Sequence, residues 1–257
     1  MRLAVKVGTS TLTHATGRMN IRHMETLCKV LSDIKNAGHE VILISSGAIG
    51  MGVGKLNLTE RPRDMATKQA TAAVGQCELM YVYDKLFLEY NHTVAQLLLT
   101  GEDLRDGQRH ENFVNTMHRL LELGAIPIIN ENDTVATDEI AVGDNDTLGA
   151  LVAVSAGADR LVVMSDIDGL YTADPRKDPS ARLIPVVEEL TGELIAAAGG
   201  NGTALGTGGM ATKLAAARIC MDAGVEMLIV NGSSPAILYD VMDGAAVGTR
   251  FQGRKQP

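Results

Sequence analysis

Short aliphatic runs alternate along the chain with longer segments of mixed polarity. Six runs of four to six residues are rich in valine, isoleucine and leucine, and they occupy residues 3–7, 41–44, 94–99, 126–129, 161–164 and 227–230. Runs of this length and composition are typical of strands that are buried on both faces, as in a parallel sheet. The pattern therefore predicts six strands.

The segments between these runs have the spacing of amphipathic helices. From Ile21 to Ile34, apolar residues recur every three or four positions, and Asn20 stands before them as a candidate N-cap. Five further helices are predicted at residues 64–89, 111–123, 146–156, 210–223 and 235–243.

A glycine follows four of these helical segments, at Gly38, Gly124, Gly157 and Gly224, and an aliphatic run begins a few residues after each. Glycine readily adopts the left-handed conformation that ends a helix. The alternation of strands and helices predicts a mainly parallel sheet with helices on both faces. Because no proline-rich or serine-rich linker divides the chain, one compact unit is expected.

Small polar residues follow four of the predicted strands directly. They occupy residues 8–11, 45–50, 130–134 and 165–169. The carboxyl ends of parallel strands meet at one edge of an open sheet, and ligands bind at that edge. The sequence therefore predicts a binding site there.

The segment from Gly206 to Lys213 carries three glycines and ends in a lysine, just where a helix is predicted to begin. Backbone N–H groups of such a loop, the positive end of the helix and the lysine charge together favour a phosphate group. The spacing differs from that of a P-loop. The alternative is a flexible loop before a surface lysine.

Lys6 lies inside the first aliphatic run, where a charged side chain is costly unless it faces a polar cleft or a partner. Its place beside the polar residues 8–10 makes it a second candidate for phosphate binding. The alternative is a lysine on an edge strand that reaches water.

Amides and carboxylates cluster in two loops, at residues 130–133 and 143–146. Such a cluster is suited to holding Mg²⁺ through water, to pairing with the lysines or to recognising an ammonium group. The alternative for Asn145 or Asp146 is to cap the helix that is predicted near Thr147.

Composition excludes several classes of function. The formal net charge is −8, which argues against a nucleic-acid or anionic-membrane binder, and no apolar stretch is long enough to span a membrane. The three cysteines form no CxxC pair, which indicates a reducing, cytoplasmic setting without a disulfide framework. The six histidines lack metal-ligand spacing and no GxSxG motif occurs, so zinc and serine hydrolysis lack support.

Taken in order, several motifs carry a resemblance to a known family. They stand at residues 6–10, 45–50, 130–133, 143–146, 169–176 and 206–213. Together they resemble the amino acid kinase family, and within it the kinases that phosphorylate glutamate, from about residue 2 to residue 251.

The resemblance implies a fold and a reaction. The fold would be a three-layer α/β/α sandwich with a mainly parallel central sheet, in a single domain over residues 1–257 without the C-terminal PUA domain of many members. The N-terminal part would mainly hold glutamate and the C-terminal part mainly ATP. The reaction would be Mg²⁺-dependent and ATP-dependent phosphorylation of the L-glutamate side-chain carboxylate, the first step of proline synthesis. A dimer or tetramer and feedback inhibition by proline are further implications.

The resemblance also implies roles for individual residues. Lys6 and Lys213 would contact the transferring phosphate, and Asp146 would orient them. Glutamate would be held by Ser46, Asp133 and Asn145. The nucleotide-binding set would be Lys6, Ser165, Asp166, Thr207, Gly208, Gly209, Met210, Ala211, Thr212 and Lys213.

The chain departs from the family pattern at three positions. Two rival functions are alternatives to this interpretation. Ser165 stands where threonine is common, and Ile167 and Asp168 replace the usual glutamine-containing version. One rival is a kinase of the same family for N-acetylglutamate, aspartate or UMP. Residues Gly8 and Thr9 argue against the first two, whose kinases usually have two glycines after the lysine. The other rival is a non-catalytic sensor, against which the joint presence of two lysines and Asp146 argues.

Overall fold

The computed structural model describes residues 1–14, 16, 18–105, 107–135, 145–197 and 209–253 of the chain. The described strands are β1 (Arg2–Val7), β2 (Glu40–Ser45), β3 (Val94–Leu99), β4 (Ile126–Glu131), β5 (Arg160–Ser165), β6 (Val186–Val187), β7 (Glu226–Asn231) and β8 (Thr249–Phe251). The described helices are α1 (Thr9–Leu12), α2 (Ile21–Asn36), α3 (Ala48–Lys55), α4 (Met65–Leu88), α5 (Gly107–Glu122), α6 (Asn145–Ser155), α7 (Gly192–Ala197), α8 (Met210–Asp222) and α9 (Ile237–Met242).

The described strands form one sheet in the order β3-β4-β2-β1-β5-β7-β8-β6. The pairs are parallel except for β7 and β8, which run antiparallel. The carboxyl ends of β1, β2, β4 and β5 therefore meet at one edge, as the polar segments after these strands predicted. All six predicted strands are confirmed.

Side-chain alternation along β1 separates two apolar cores. Leu3 and Val5 pack in the core that includes α2, α4 and α9, whereas Ala4 packs in the core that includes α5, α6 and α8. Successive strand side chains point to opposite faces, so Lys6 shares the face of Ala4. Two helical layers around a mainly parallel sheet confirm the three-layer α/β/α sandwich.

The helix boundaries follow the predicted caps closely. The Asn20 side chain accepts a hydrogen bond from the backbone N–H of His23 (3.2 Å) at the start of α2. The glycines after α2, α5, α6 and α8 all have positive φ, between 61° and 93°. These left-handed residues end each helix and turn the chain into the next strand.

Helix α3 is the main element that the pattern of apolar residues failed to predict. Its sequence contains three glycines, which disfavour an isolated helix. Packing on α4 compensates, because Gly52 and Gly75 let the two backbones approach so closely that a Cβ on either would collide with a carbonyl group of the other helix. The short elements α1, α7, β6 and β8 were missed as well. Among the described helices, none combines the length and apolarity that a membrane span requires.

Candidate active site

Three charged side chains from three separate elements meet at the carboxyl edge of the sheet. Nζ of Lys6, on β1, lies 2.6 Å from Oδ1 of Asp146, on α6. Nζ of Lys213, on α8, lies 3.1 Å from Oδ2 of the same carboxylate. The exposed fractions are 8% for Lys6, 6% for Lys213 and 1% for Asp146. We call these three residues the cationic triad.

The central position of β1 explains how a lysine is buried there. The strand pairs with β2 on one side and β5 on the other, and Lys6 is in register with Ile44 and Val163. Its aliphatic stem runs past Gly149 of α6, where a Cβ would stand 3.5 Å from the Lys6 stem. The alternative of a lysine on an edge strand is therefore wrong. The alternative of a surface lysine at position 213 is wrong too, since Lys213 is buried on α8.

The charges of the triad do not cancel. Burial alone would raise the pKa of Asp146, but the ammonium groups of Lys6 and Lys213 outweigh it and hold that pKa below its usual range. Asp146 is therefore ionised at neutral pH, and two cations share one anion in a nearly water-free place. Such a site attracts a further anion, because the surplus positive charge is poorly solvated.

Thr212, in the first turn of α8, supports the triad. Its Oγ1 lies 3.1 Å from Oδ2 of Asp146 and 2.8 Å from the carbonyl oxygen of Gly209. The side chain therefore links the start of α8 to the carboxylate that orients both lysines. The family resemblance implied nucleotide binding for Thr212, and its contact with Asp146 leaves no mark in the sequence pattern.

A second polar group at the same edge consists of uncharged side chains. Nδ2 of Asn145 donates to Oγ of Ser46 (2.6 Å) and to Oδ1 of Asn130 (3.0 Å). Nδ2 of Asn130 in turn donates to Oε1 of Gln76 (3.0 Å). We call Ser46, Asn145, Asn130 and Gln76 the amide chain. It unites two residues predicted to hold glutamate with Asn130, a member of the predicted cluster of amides and carboxylates, and with Gln76, which had no predicted role.

The start of α6 brings the triad and the amide chain together. Asn145 and Asp146 are consecutive, and they face the amide chain and the cationic triad respectively. The described part of the helix starts at Asn145, within two residues of the start predicted near Thr147. Their side chains meet residues of other elements, which capping alone does not explain.

Asp133 follows β4 at this edge and is half-buried. Burial raises the pKa of its carboxyl group, and the charge of Arg61, in the loop before α4, opposes the increase. Arg61 belongs to none of the motifs, so its place beside Asp133 was not predictable from the sequence. A partly desolvated carboxylate of this kind favours a cationic ligand group.

The predicted nucleotide side lies around the ends of β5 and β7 and the start of α8. Oγ of Ser165 donates to Oδ1 of Asp166 (3.3 Å), and the Ser165 carbonyl accepts from the N–H of Gly232 (2.7 Å). Gly209 precedes α8, and Met210, Ala211, Thr212 and Lys213 form its first turn. Thr207 and Gly208, like Gly143 and Asp144, lie outside the described residues.

Asp168, one of the departures from the family pattern, ties two segments of this region together. Its carboxylate accepts hydrogen bonds from Nδ2 of Asn231 (2.7 Å) and from the hydroxyl of Tyr171 (2.8 Å). These two donors hold the pKa of Asp168 below its usual range. The residue therefore connects the loop after β5 to the end of β7.

Metal ligands of the usual kind are not grouped in the described part of the chain. Within it, no three His, Cys, Asp or Glu side chains are arranged to hold a metal ion. Both oxygens of Asp146 face lysines. Mg²⁺ commonly keeps several waters and binds through substrate phosphates, so a bound nucleotide would supply the ligands that this region lacks.

Comparison with known proteins agrees with this architecture. The model of the amino acid kinase family matches residues 1–231. A protein named glutamate 5-kinase from Clostridium tetani is 54% identical over 98% of this chain and 95% of its own length. A protein of the same name from Caldanaerobacter subterraneus is 52% identical over all of this chain and 69% of its own length.

Solved structures share the fold at low sequence identity. Isopentenyl phosphate kinase of T. acidophilum superposes with a TM-score of 0.68 at 16% identity, over 98% of this chain and all of that one. UMP kinase from Bacillus anthracis gives 0.65 at 16% identity, over 98% and 96%. The family match over residues 1–231 and the identity of about half of the residues with the two relatives together establish the family of this chain. The chain belongs to the amino acid kinase family.

Proposed function

We propose that this protein transfers the γ-phosphoryl group of ATP to the side-chain carboxylate of L-glutamate and releases L-glutamyl 5-phosphate and ADP. The observation that carries the proposal is the buried cationic triad with an amide chain beside it at one sheet edge. The name that both relatives bear agrees with it. The reaction would be the first step of proline synthesis.

The two parts of the chain divide the work in this proposal. Glutamate is held by Ser46, Asp133 and Asn145 in the N-terminal part, and ATP by the C-terminal part, within one domain over residues 1–257. The support for this division is that the amide chain joins α4, β4, α6 and the end of β2, whereas Ser165 and Gly209 stand by β5 and α8. The triad lies between the two and faces the phosphoryl group in transit.

The nucleophile needs no general base. The side-chain carboxyl group of glutamate has an ordinary pKa of about 4.3, so it is already ionised at neutral pH. The remaining requirements are in-line positioning of two anions and stabilisation of the charge that spreads over the phosphoryl oxygens. Lysines meet both requirements, and no proton has to move between this chain and the substrate.

Lys6 and Lys213 stabilise the phosphoryl group while it moves between the two oxygens. Asp146 holds both ammonium groups through separate carboxylate oxygens, which fixes their directions before the substrates arrive. Preorganised charges of this kind lower the barrier because they do not have to reorient during the reaction. Thr212 holds the carboxylate in turn.

The ammonium group of glutamate finds two acceptors in this arrangement. Oδ1 of Asn145 is buried and lacks a hydrogen-bond partner within the part of the chain that the structure describes. Asp133 offers a carboxylate that lies partly out of water. An acceptor that is already buried gains much from a charged donor, because its own desolvation has been completed on folding.

Mg²⁺ enters with ATP in this proposal. When bound, it neutralises part of the phosphate charge. The nucleotide phosphates and water would hold it.

A panel of acceptors tests the proposed function. The protein is incubated with Mg-ATP and L-glutamate, N-acetyl-L-glutamate, L-aspartate or UMP, and ADP release is recorded. Glutamate should give the fastest release, and hydroxylamine should trap the acyl phosphate as one hydroxamate per ADP. Faster turnover with another acceptor would refute glutamate as the substrate, and no turnover with any would favour the sensor.

The same assay extends to regulation and assembly. As parts of this proposal, proline inhibits glutamate-dependent ADP release in a cytoplasmic enzyme, and the protein is a dimer or tetramer. Addition of L-proline to the assay tests the first, and light scattering of the purified protein tests the second. Unchanged rates at saturating proline, or the mass of a single chain, would contradict the respective part.

A further inference from the structure

Gln76 lies at the far end of the amide chain from the cationic triad. We propose that Gln76 is a positioning residue that determines which atom of Asn145 faces the acid substrate, an inference that rests on the proposed function. Gln76 acts through Asn130 and has no direct contact with the substrate in this proposal. Its effect is to make Asn145 present an acceptor.

Gln76, on α4, contacts Asn130, on β4, through a buried hydrogen bond. Gln76 is 8% exposed and Asn130 is 2% exposed. Oε1 of Gln76 accepts a hydrogen bond from Nδ2 of Asn130 (3.0 Å). Because the pair is buried, water competes poorly for these groups, and the hydrogen bond between the two amides is retained.

The orientation of the Asn130 side chain matters because an amide group has two unlike ends. An asparagine side chain has a donor nitrogen and an acceptor oxygen on opposite sides. Since Nδ2 of Asn130 faces Gln76, Oδ1 of Asn130 faces Asn145 and accepts from its Nδ2 (3.0 Å). Gln76 therefore determines the orientation of Asn130, and Asn130 determines that of Asn145.

The carbonyl oxygen of the Asn145 side chain is the atom left without a described partner. Nδ2 of Asn145 has two hydrogens, and they go to Oδ1 of Asn130 and Oγ of Ser46. Oδ1 of Asn145 is buried and has no partner among the described residues. Rotation of the Asn145 amide by a half turn would set two carbonyl oxygens against each other. No described residue completes the arrangement, and a ligand donor such as an ammonium group would do so.

The backbone around Gln76 is suited to this task. Its neighbour Gly75 has no side chain, and α3 packs so closely there that a Cβ would collide with the carbonyl group of Ala48. Lys55 and Glu78 add an ion pair of 2.7 Å between the same two helices. Because α3 begins just after Ser46, the two ends of the amide chain are attached to one rigid pair of helices.

Substitution of Gln76 by leucine tests the inference. Gln76→Leu keeps the approximate volume but removes the acceptor, so Asn130 and Asn145 lose their enforced orientation. The KM for glutamate should rise about tenfold, with kcat and the KM for ATP little changed. Thr71→Val is the matched control. Thr71 is buried on the same helix and lies outside the amide chain, so this variant should keep the KM of the wild type.

A double-mutant cycle separates positioning from direct contact. In an Asn145→Ala background, Gln76→Leu should leave the glutamate KM unchanged, because Gln76 acts through the side chain that has been removed. If the double variant raises the KM for glutamate by the product of the two single effects, Gln76 acts independently of Asn145. If Gln76→Leu alone leaves this KM unchanged, Gln76 does not position Asn145. Either result overturns the inference.

A replacement variant and a prior assay of the wild type complete the experiment. If Gln76→Leu does not fold, Gln76→Met replaces it, since methionine fills irregular space with little strain. The wild type is assayed first, and failure to phosphorylate glutamate would overturn the proposed function. In that event the KM of the preferred acid is measured in the same variants, and its dependence on Gln76 is judged separately.

Discussion

The cationic triad and the amide chain lie side by side but are built from opposite kinds of groups. The triad carries surplus positive charge in a nearly dry place, whereas the amide chain is uncharged and consists of directed hydrogen bonds. Charge attracts any phosphate and stabilises its transfer, but discriminates little between anions of similar size. Directed amides contribute little attraction, but a wrongly placed donor or acceptor is costly.

Asp146 and Asp133 show the same contrast in two carboxyl groups of one edge. The lysines lower the pKa of Asp146 in spite of its burial, whereas burial raises the pKa of Asp133 in spite of Arg61. One carboxylate is already satisfied within the protein. At the other, burial is opposed only by the charge of Arg61 among the described residues. This contrast supports the proposal that Asp146 orients the lysines towards the phosphoryl group and that Asp133 receives the substrate ammonium.

Loss of the Asp146 charge should have the largest effect. Asp146→Asn leaves two buried ammonium groups without a counter-charge and should cost about 3–5 kcal/mol of unfolding free energy. A lowered folded pKa contributes stability above the unfolded pKa of about 3.9, and this contribution is lost as pH falls towards the folded value. Calorimetry should therefore show a Tm deficit at pH 7 that shrinks below about pH 4. An equal deficit at all pH values would contradict the assignment.

Removal of either lysine should slow the chemical step. Lys6→Ala or Lys213→Ala should lower kcat by about 10²–10³-fold, which is the usual effect of losing one preorganised hydrogen-bond donor to the transition state. Steady-state kinetics with saturating ATP and glutamate measures it, and circular dichroism verifies the fold. Lys29→Ala, at an exposed lysine of α2, is the matched control and should keep its kcat. Near-normal kcat in one variant would remove that lysine from the mechanism.

Distortion of the helix pair α3–α4 should weaken the amide chain and spare the triad. Gly75→Ala places a methyl group against the backbone of α3 and should cost about 1–3 kcal/mol of unfolding free energy. The control is Gly107→Ala at the start of α5, where a Cβ meets open space. Urea titration compares the two variants. Equal stability would show that the close approach of α3 and α4 is not required.

Loss of Asp133 should give the smallest change, in substrate binding. Asp133→Ala removes one partner of the ammonium group, and the KM for glutamate should rise about tenfold with a smaller effect on kcat. Asp84→Ala, on the exposed face of α4, is the control. An unchanged KM would mean that Asp133 does not hold glutamate.

The sign of the Asp133 pKa shift gives this prediction a second readout. A raised folded pKa disfavours folding at pH values above it, because the charged form is desolvated in the folded state. Asp133→Asn should therefore raise the Tm at pH 7, with a benefit that disappears below the ordinary pKa of about 3.9. A lower Tm at pH 7 would show that the carboxylate is well paired without substrate.

Much of the fold was accessible from the sequence because its signals are local. Six aliphatic runs predicted six strands, and four glycines predicted four left-handed helix ends, all of which the structure contains. Elements whose stability comes from distant partners were missed. Helix α3 depends on α4, and the short strands β6 and β8 depend on pairing with each other and with β7.

The candidate site shows the same limit. A lysine inside an aliphatic run and a glycine-rich segment before a helix are local anomalies, so Lys6 and Lys213 were found from the sequence alone. Gln76 and Arg61 show no anomaly, since polar residues in a helix and in a loop are ordinary. Their partners are Asn130 and Asp133, which the chain brings close to them only after folding.

The sequence by itself determined the alternation of strands and helices, the sheet edge that carries the site and the two lysines, because these depend on the character of neighbouring residues. The family resemblance implied that Asp146 orients the two lysines, but only the tertiary structure decided that each ammonium group meets a separate oxygen of that carboxylate. Only the tertiary structure decided, too, that the amide of Asn145 is turned with its oxygen free of described partners. Hydrogen bonds and ion pairs depend on distance and direction between elements far apart in the chain. Such relations arise when packing brings those elements together.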